Sequence, residues 1–420
     1  MSELTRTIGL GRGTFMMLNI VLGAGLLTLP GLAAQMSGNA APVVWGACAL
    51  VAIPLLAVFG ILGRKMPSSG GLPAWVRDAF GPYAYAPTIL LFLGAVSVGL
   101  PSIAITGGYY ASAVIGGDPH LLAGLLILAA AAVNLLSAEI AGRANSAIAS
   151  LLLLVMVVLA TIGIATSGTS VAETPLPSIT TISPMTFGAT FMMIFFAFTG
   201  WEVAANLAGE FRDPERTFPR AIALSFVAAV GLYLALAFLV LKAGPVAYGP
   251  APFAAIFSER FGPVGETAVG AVAVALIFAN LSAAIWAVSR MVYSVARDGY
   301  LPVALTRVTK GVPLRSVGTT VAVLLVVTEL SREGIFSLAE LLEAAGQNFL
   351  LLYAAAAISL MTLSSAAKHR VLAALGITLV AVLIASRPLS ELQFPVALIL
   401  TGLVLAGLHA RRSGMTEARS

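Results

Sequence analysis

Residues 18–31 read LNIVLGAGLLTLPG and lie inside the first long apolar segment of the chain. Such a segment is suited to crossing a bilayer, yet it carries Gly-Ala-Gly in its middle and Pro-Gly soon after. Non-helical backbone at membrane depth is tolerated only where protein or a water-filled cavity surrounds it. A break at Gly23-Ala24-Gly25 would expose N–H groups at the positive end of a half-helix, which suits a carboxylate. The alternative is that these glycines only permit close helix packing.

The composition is that of a membrane protein. Of the 420 residues, 59% are hydrophobic and only 10% are charged, and the mean hydropathy is +0.99. A polytopic membrane protein needs that much apolar surface, whereas a soluble protein of this length does not. The net charge of +5 could indicate nucleic acid, but the basic residues lie in short loops between apolar segments, so no nucleic-acid partner is predicted. The single cysteine, Cys48, allows neither an internal disulfide nor a cysteine metal site.

Twelve membrane-spanning helices are predicted, because a bilayer core needs roughly 20 apolar residues in a helix. The predicted spans are residues 12–34, 41–63, 84–113, 119–138, 142–166, 185–207, 219–243, 263–297, 313–331, 336–361, 368–386 and 393–410. An even number of spans places both termini on one side. With the N-terminus inside, all but four of the 23 Lys and Arg residues are cytoplasmic, the exceptions being Lys242, Arg260, Arg332 and Arg387. This bias predicts cytoplasmic termini. The excess of Arg over Lys and the abundance of Ala and Gly indicate a bacterial protein, so an inner-membrane location is expected.

The sixth span carries a second interruption, Thr199-Gly200-Trp201-Glu202, at mid-membrane. Spans one and six are corresponding members of two five-helix halves, and an odd number of helices per half inverts the second half. Paired interruptions of this kind point to a midplane site in an inverted-repeat transporter. We therefore predict a transport core in residues 1–361, with halves at about 8–166 and 185–361. Residues 362–420 would form two further helices and a short cytoplasmic tail.

Four motifs resemble those of the amino acid–polyamine–organocation (APC) transporters. They are GAGLLTLPG at 23–31, MPSSGGLPAWVRDAFGPYAYAP at 66–87, FFAFTGWEVAANLAGEFRDPERTFPRAI at 195–222 and SRMVYSVARDGYLP at 289–302. The resemblance implies an all-α polytopic membrane protein with a LeuT-like, five-plus-five inverted repeat, discontinuous helices one and six, and alternating access. The chain length and GLP at 99–101 are also similar to a shorter bacterial branch that exports methionine and branched-chain amino acids.

The resemblance further implies which residues bind an amino-acid substrate. Backbone N–H groups of the first break would hold its carboxylate, and carbonyls of the sixth span would receive its ammonium group. The residues concerned are Gly23, Ala24, Gly25, Leu26, Phe196, Ala197, Phe198, Thr199 and Gly200. Phe196 falls where family members often carry an aromatic gate, although ordinary packing also explains an aromatic cluster. Leu100, Met192 and Met193 are candidates for the rest of the pocket.

Glu202 is the one acid well inside a span beside a break. A buried carboxylate is costly when charged, and an intramembrane acid is a functional candidate by default. We interpret it as a group that takes up and releases a proton, and the alternative is a structural hydrogen bond to unwound backbone or to a neighbouring helix. Glu340 and Glu343 are expected to face the external vestibule or a neighbouring helix. Span eight offers Asn280 and Ser282 but no suitable Ser/Thr pair, which disfavours sodium coupling, so proton antiport, exchange and facilitated diffusion stay open.

The substrate predicted from these residues is a neutral, apolar amino acid, because no acid stands ready for a cationic side chain. APC-type transport of cationic amino acids or polyamines is the first alternative. A transporter of the major facilitator type is the second, although its six-plus-six symmetry would not call for breaks in spans one and six. An enzyme is not expected, since His120, His369 and His409 all lie at span ends. No cofactor or metal is predicted, and helices eleven and twelve are candidates for contacts in a homodimer.

Overall fold

The described part of the protein is nearly all helical. The computed structural model describes residues 8–22, 25–66, 71–136, 158, 161, 182–204, 208, 210–309 and 311–417. The predicted fifth span, 142–166, therefore lies outside the described residues except for two positions, and so do Gly23 and Ala24. Within these ranges there is no β-strand, and two isolated backbone bridges join Ile8 with Phe211 and Thr309 with Val312.

The helices are numbered here in chain order. They are α1 (Leu10–Val21), α2 (Gly25–Ser37), α3 (Ala41–Lys65), α4 (Gly71–Phe80), α5 (Pro82–Ile115), α6 (Pro119–Leu136), α7 (Pro184–Phe195), α8 (Trp201–Ala204), α9 (Thr217–Ala243), α10 (Pro252–Arg297), α11 (Leu314–Arg332), α12 (Leu338–Leu363), α13 (Ala367–Ala385) and α14 (Gln393–Glu417). Short 3₁₀ turns lie at Gly38–Ala40, Phe196–Phe198, Gly244–Ala247 and Val303–Thr306. In the described part, 8 helical segments are long and apolar enough to cross a membrane.

Most helix boundaries lie within a few residues of the predicted spans, and the eighth span is the main difference. Helix α10 begins at Pro252 rather than at residue 263. Gly262, which adopts a φ of 64°, kinks it just before Pro263. Proline disfavours helical geometry in the residue before it, and glycine adopts a positive φ at little cost. Residues 252–261 therefore form a separate helical arm that precedes the predicted span.

Both predicted interruptions are helix breaks in the structure. Helix α1 ends at Val21 and α2 begins at Gly25. Helix α7 runs into the 3₁₀ turn Phe196–Phe198, after which Thr199 is extended and α8 begins at Trp201. Between them Gly200 has a φ of 105°, and a Cβ there would lie 3.4 Å from the carbonyl oxygen of Ile20. The positive φ explains the glycine at this position, and the distance shows that the two breaks are in van der Waals contact here.

The two broken helices lie side by side in opposite directions. Helix α1 packs against α8, and α2 packs against α7, so the first half of one meets the second half of the other. Helix α5 runs beside them and packs against α6, α10, α12 and α14. The breaks are consequently enclosed by protein on the side of α5 and α12, which is the condition for unwound backbone in a membrane.

Candidate functional site

A cavity of about 150 Å³ lies where the two broken helices meet. Its lining residues are Ile20, Val21, Gly25, Val96, Gly99, Leu100, Ile103, Phe196, Ala197, Thr199, Gly200, Glu202, Asn280 and Phe349. An apolar cavity of about 150 Å³ in another protein holds a benzene molecule, so this volume suits a small solute. We call it the central cavity.

The central cavity brings together most of the residues singled out from the sequence. Those that line it are Gly25, Leu100, Phe196, Ala197, Thr199, Gly200 and Glu202. Four others, Leu26, Phe198, Met192 and Met193, are buried beside it and do not line it. The predicted Gly23 and Ala24 lie outside the described residues.

Several lining residues were not singled out as pocket residues from the sequence. Gly99 and Ile103 flank Leu100 on α5, and Phe349 comes from α12. Asn280 comes from α10, and a polar side chain inside an apolar span was the one signal that could have indicated it. Phe349 carries no such signal, because a phenylalanine in a membrane helix faces lipid as readily as a cavity.

Glu202 is the one charged residue among those lining the central cavity, and it is only 5% exposed. Both of its carboxylate oxygens lie 2.9 Å from the backbone nitrogen of Gly200, which donates to them across the break. The hydroxyl of Tyr353 donates to Oε2 at 2.7 Å. Two donors therefore hold the carboxylate in place, as a buried acid requires.

Tyrosine hydroxyls from neighbouring helices serve the carbonyl groups at the breaks. The hydroxyl of Tyr233 on α9 lies 2.8 Å from the Ala197 oxygen and 3.2 Å from the Val21 oxygen, so it joins the two breaks. Tyr110 on α5 donates to the Leu27 oxygen in the first turn of α2 at 2.9 Å. Carbonyls at the C-terminal end of a helix lack intrahelical partners, and the Tyr233 hydroxyl supplies a donor there where water is scarce. The Leu27 carbonyl lies at the N-terminal end of its helix, so Tyr110 ties α5 to α2 beside the break.

Phe196 and Phe198 have different surroundings although they are two residues apart. Phe196 lines the cavity beside Gly99 and packs near Phe349, with ring centroids 6.3 Å apart. Phe198 is buried among Trp45 and Tyr233, with ring centroids at 6.0 and 5.5 Å. Of these two residues, Phe196 is therefore the one that can contact a solute in the cavity, and Phe198 anchors the break in the core.

The two acids of span ten are engaged away from the cavity. Glu340 caps α12, where its Oε2 accepts from the Ser337 backbone nitrogen at 2.7 Å. Glu343 pairs with Arg387, whose side chain is only 2% exposed and also contacts Glu391. Arg387 donates to the carbonyl of Met185 on α7 at 3.0 Å as well. This cluster ties the segment between α13 and α14 to α7 and α12, in keeping with the expected contact to a neighbouring helix.

The described chain is nearly all helical, has several apolar segments long enough to span a membrane, and encloses a solute-sized cavity at two helix breaks. These features are typical of a polytopic membrane transporter. The match to a family model defines the class further. The chain belongs to the amino acid permease family, whose model matches residues 8–408. This match confirms the resemblance to the APC transporters, and it identifies the chain as a transporter and not an enzyme.

Similar proteins carry names of the same kind. An uncharacterized amino acid permease, YecA of Bacillus subtilis (strain 168), is 31% identical over 353 residues, covering 80% of each chain. The L-methionine/branched-chain amino acid exporter YjeH of Escherichia coli (strain K12) is 32% identical over 318 residues, covering 72% of this chain and 73% of that protein. The branched-chain amino acid permease BcaP of Lactococcus lactis is 27% identical over 352 residues, covering 76% and 73%.

Proposed function

We propose that this protein moves neutral, hydrophobic amino acids, such as methionine and leucine, across the bacterial cytoplasmic membrane by alternating access. The central cavity at the junction of the two breaks is the observation that carries the proposal. A zwitterion needs donors for its carboxylate and acceptors for its ammonium group, and unwound backbone offers both without a charged side chain. Gly25 begins α2 on one side of the cavity, and Phe196, Ala197 and Thr199 stand on the other.

The walls of the cavity favour an apolar substrate side chain. Val96, Leu100, Ile103 and Phe349 line it away from the breaks. YjeH is named as an exporter of methionine and branched-chain amino acids and BcaP as a branched-chain amino acid permease, which supports the same choice. Glu202 is the one acid in the lining, and the Gly200 nitrogen and Tyr353 hydroxyl occupy its oxygens. Cationic amino acids and polyamines are the alternative substrates, and their ammonium groups would have to compete with these two donors for the Glu202 oxygens.

The architecture we propose for this activity is a twelve-helix bundle with a LeuT-like inverted repeat. The antiparallel packing of the two broken helices supports it, because inversion of one half produces that arrangement. Its core would occupy residues 1–361, and residues 362–420 would lie outside the core. The distribution of Lys and Arg supports cytoplasmic termini. Helices α13 and α14 expose apolar residues such as Val382 and Val404, and this surface is available for a contact in a homodimer.

Glu202 is our candidate for proton coupling. It lines the central cavity, and the Tyr353 hydroxyl that it accepts from is buried. Loss of its charge on protonation would weaken both hydrogen bonds that fix the break, so occupancy by a proton would alter the geometry of the substrate site. Proton-coupled export and exchange both fit this arrangement. The alternative is a fixed structural carboxylate that caps the break throughout the cycle.

The proposal is tested by counterflow of labelled leucine and methionine in proteoliposomes, with and without an imposed pH gradient. We expect uptake that requires internal amino acid and responds to the gradient. Glu202→Gln keeps one acceptor oxygen for the donors but cannot titrate, so it should retain exchange and lose the response to the gradient. Gly46→Ala serves as the control, because a Cβ at Gly46 has no neighbour within 4 Å.

Two results would overturn parts of this proposal. Uptake of arginine or putrescine without uptake of leucine or methionine would replace the substrate class. A response to the gradient that survives in Glu202→Gln would leave the transport function but assign Glu202 a structural role only.

A further inference from the structure

A second, larger cavity lies beside the central one. It has a volume of about 590 Å³ and is bounded by α5, α10, α11, α14 and the 3₁₀ turn Val303–Thr306. We call it the lateral chamber and define it by Val96, Leu100, Val292, Val323, Leu324 and Leu398. Its lining is almost entirely apolar. No permeating zwitterion finds partners in such a space, so its natural occupant is apolar.

Two of the three hydroxyl groups in the chamber are already bonded within their own helices. Ser97 donates to the Gly94 carbonyl at 2.8 Å, and Thr320 donates to the Ser316 carbonyl at 2.9 Å. These two hydroxyls offer a ligand no unpaired donor, and the third belongs to Thr319, an exposed residue. The shape of the chamber and its scarcity of free polar groups therefore favour hydrocarbon.

The chamber opens sideways between α11 and α14. Both helices pack on α5, but they barely touch each other in the described part of the chain. Val323 on α11 is 41% exposed and Phe394 on α14 is 36% exposed at the edges of this gap. Since α11 and α14 are candidate membrane spans, the gap faces the acyl chains of the bilayer.

A basic residue stands at one end of the chamber. Arg315 is exposed in the first turn of α11, and its Nη1 lies 3.4 Å from the carbonyl oxygen of Ala304, a lining residue. The first turn of a 19-residue span lies at a membrane surface, where lipid phosphates are found. Arginine binds phosphate well, because its guanidinium presents several N–H donors in one plane.

We propose that the lateral chamber binds one acyl chain of an anionic phospholipid, with the phosphate held by Arg315. The chain would extend inward until it meets Val96 and Leu100 near the middle of α5. These two residues also line the central cavity, so the lipid chain would support the wall between the cavities. This inference does not depend on which amino acid is transported.

Photocrosslinking tests the proposal directly. The purified protein is reconstituted with phosphatidylglycerol that carries a diazirine near the end of one acyl chain, and adducts are mapped by mass spectrometry. We expect adducts around residues 93–100 and 288–292, measured relative to adducts on the outer face of α13. Arg315→Gln should lower this ratio about fivefold, the effect of one basic residue on anionic lipid. Phosphatidylcholine with the same chain should give a similarly lower ratio.

Two matched controls separate the chamber from the general lipid surface. Val323→Phe fills the chamber from its edge and should also lower the ratio, whereas Val326→Phe on the same helix should not. Val326 is 58% exposed and does not line the chamber. Arg370→Gln removes an exposed arginine from the first turn of α13 and should leave the ratio unchanged.

Three outcomes would overturn the assignment. Adducts spread evenly over all lipid-facing helices would mean that the chamber holds no specific chain. Equal adducts from the two lipids would exclude recognition of an anionic headgroup. If Val323→Phe raised the KM for large amino acids without changing the adducts, the chamber would be an extension of the substrate site.

Discussion

The two helix breaks obtain their hydrogen-bond partners in different ways. The second break supplies part of its own, since Thr199 donates to the Phe196 carbonyl at 2.7 Å and Glu202 accepts from the Gly200 nitrogen. At the first break, the described carbonyls of Val21 and Leu27 receive donors from Tyr233 and Tyr110 on other helices.

The geometry of the second break is therefore set in part by its own residues, with Tyr233 and Tyr353 adding donors from other helices, whereas the described carbonyls of the first break receive side-chain donors only from other helices. The second break carries its own acceptor, the Glu202 carboxylate, so that part of its geometry is kept as long as Gly200 and Glu202 are present. A break served by distant tyrosines shifts whenever α5 or α9 shifts relative to α1 and α2. If these helices move during transport, we therefore expect the first break to adjust more than the second.

Glu202→Ala should have the largest effect, because it removes the local acceptor from the second break. The Gly200 nitrogen and the Tyr353 hydroxyl would lose their buried partner, at a cost of about 2–4 kcal/mol in the free energy of unfolding. We expect a markedly lower thermal midpoint in detergent and loss of counterflow. Glu202→Gln should recover most of the stability, and an alanine variant as stable as the native protein would show that the local acceptor is dispensable.

Tyr233→Phe should rank second, because one hydroxyl serves both breaks. The carbonyls of Val21 and Ala197 would lose this donor in a buried environment, and we expect a loss of about 1–3 kcal/mol. Thermal unfolding measures the loss, and leucine counterflow should fall with it. Tyr83→Phe is the control, since Tyr83 is 54% exposed. Equal midpoints for the two variants would contradict the bridging role of Tyr233.

Gly99→Ala should change the substrate site with little effect on either break. A Cβ at Gly99 would lie 2.8 Å from Cε2 of Phe196, so the ring must move towards the central cavity. We expect KM for leucine to rise about tenfold, in the range that one methyl group costs in an apolar pocket. Alanine or serine should be affected less than leucine. An unchanged ratio of KM values among these substrates would indicate that Phe196 does not contact the side chain.

Tyr110→Phe should give the smallest effect and would sharpen the contrast with Tyr233. It removes one hydrogen bond to the Leu27 carbonyl, worth about 1 kcal/mol, and leaves the second break untouched. Thermal unfolding of the single variants and of the double variant Tyr110→Phe/Tyr233→Phe measures whether the losses add. Additive losses are expected for separate sites. A loss larger than that of Tyr233→Phe would reverse the ranking.

The positions of the breaks and most helix ends were predictable from the sequence. Apolar segments of the required length mark the spans, and Gly25, Thr199 and Gly200 mark the interruptions, because helix propensity and backbone freedom are local properties. The acid at Glu202 was predictable for the same reason, since a charged residue in an apolar segment is conspicuous. The contacts to Gly200 and Tyr353 agree with the alternative interpretation of Glu202 as a structural acceptor, and its role in proton coupling stays a prediction.

The side chains that complete the site required the tertiary structure. In the sequence, Tyr233 and Tyr353 are tyrosines in apolar helices, and nothing near them indicates a carbonyl or a carboxylate on another segment. Phe196 and Phe198 share the same local sequence, yet one lines the cavity and the other is buried.

The sequence by itself thus determined where the chain spans and where it breaks, and the tertiary structure decided which groups meet at the breaks. Local helix propensity and hydropathy set where the chain spans and where it breaks. The meeting of groups at the breaks depends on the rotation and depth of each helix relative to its neighbours. These are fixed by close contacts such as that between Gly346 and the Met192 carbonyl, where an added Cβ would overlap the oxygen. These contacts join residues far apart in the chain, so no pattern within a single span encodes them.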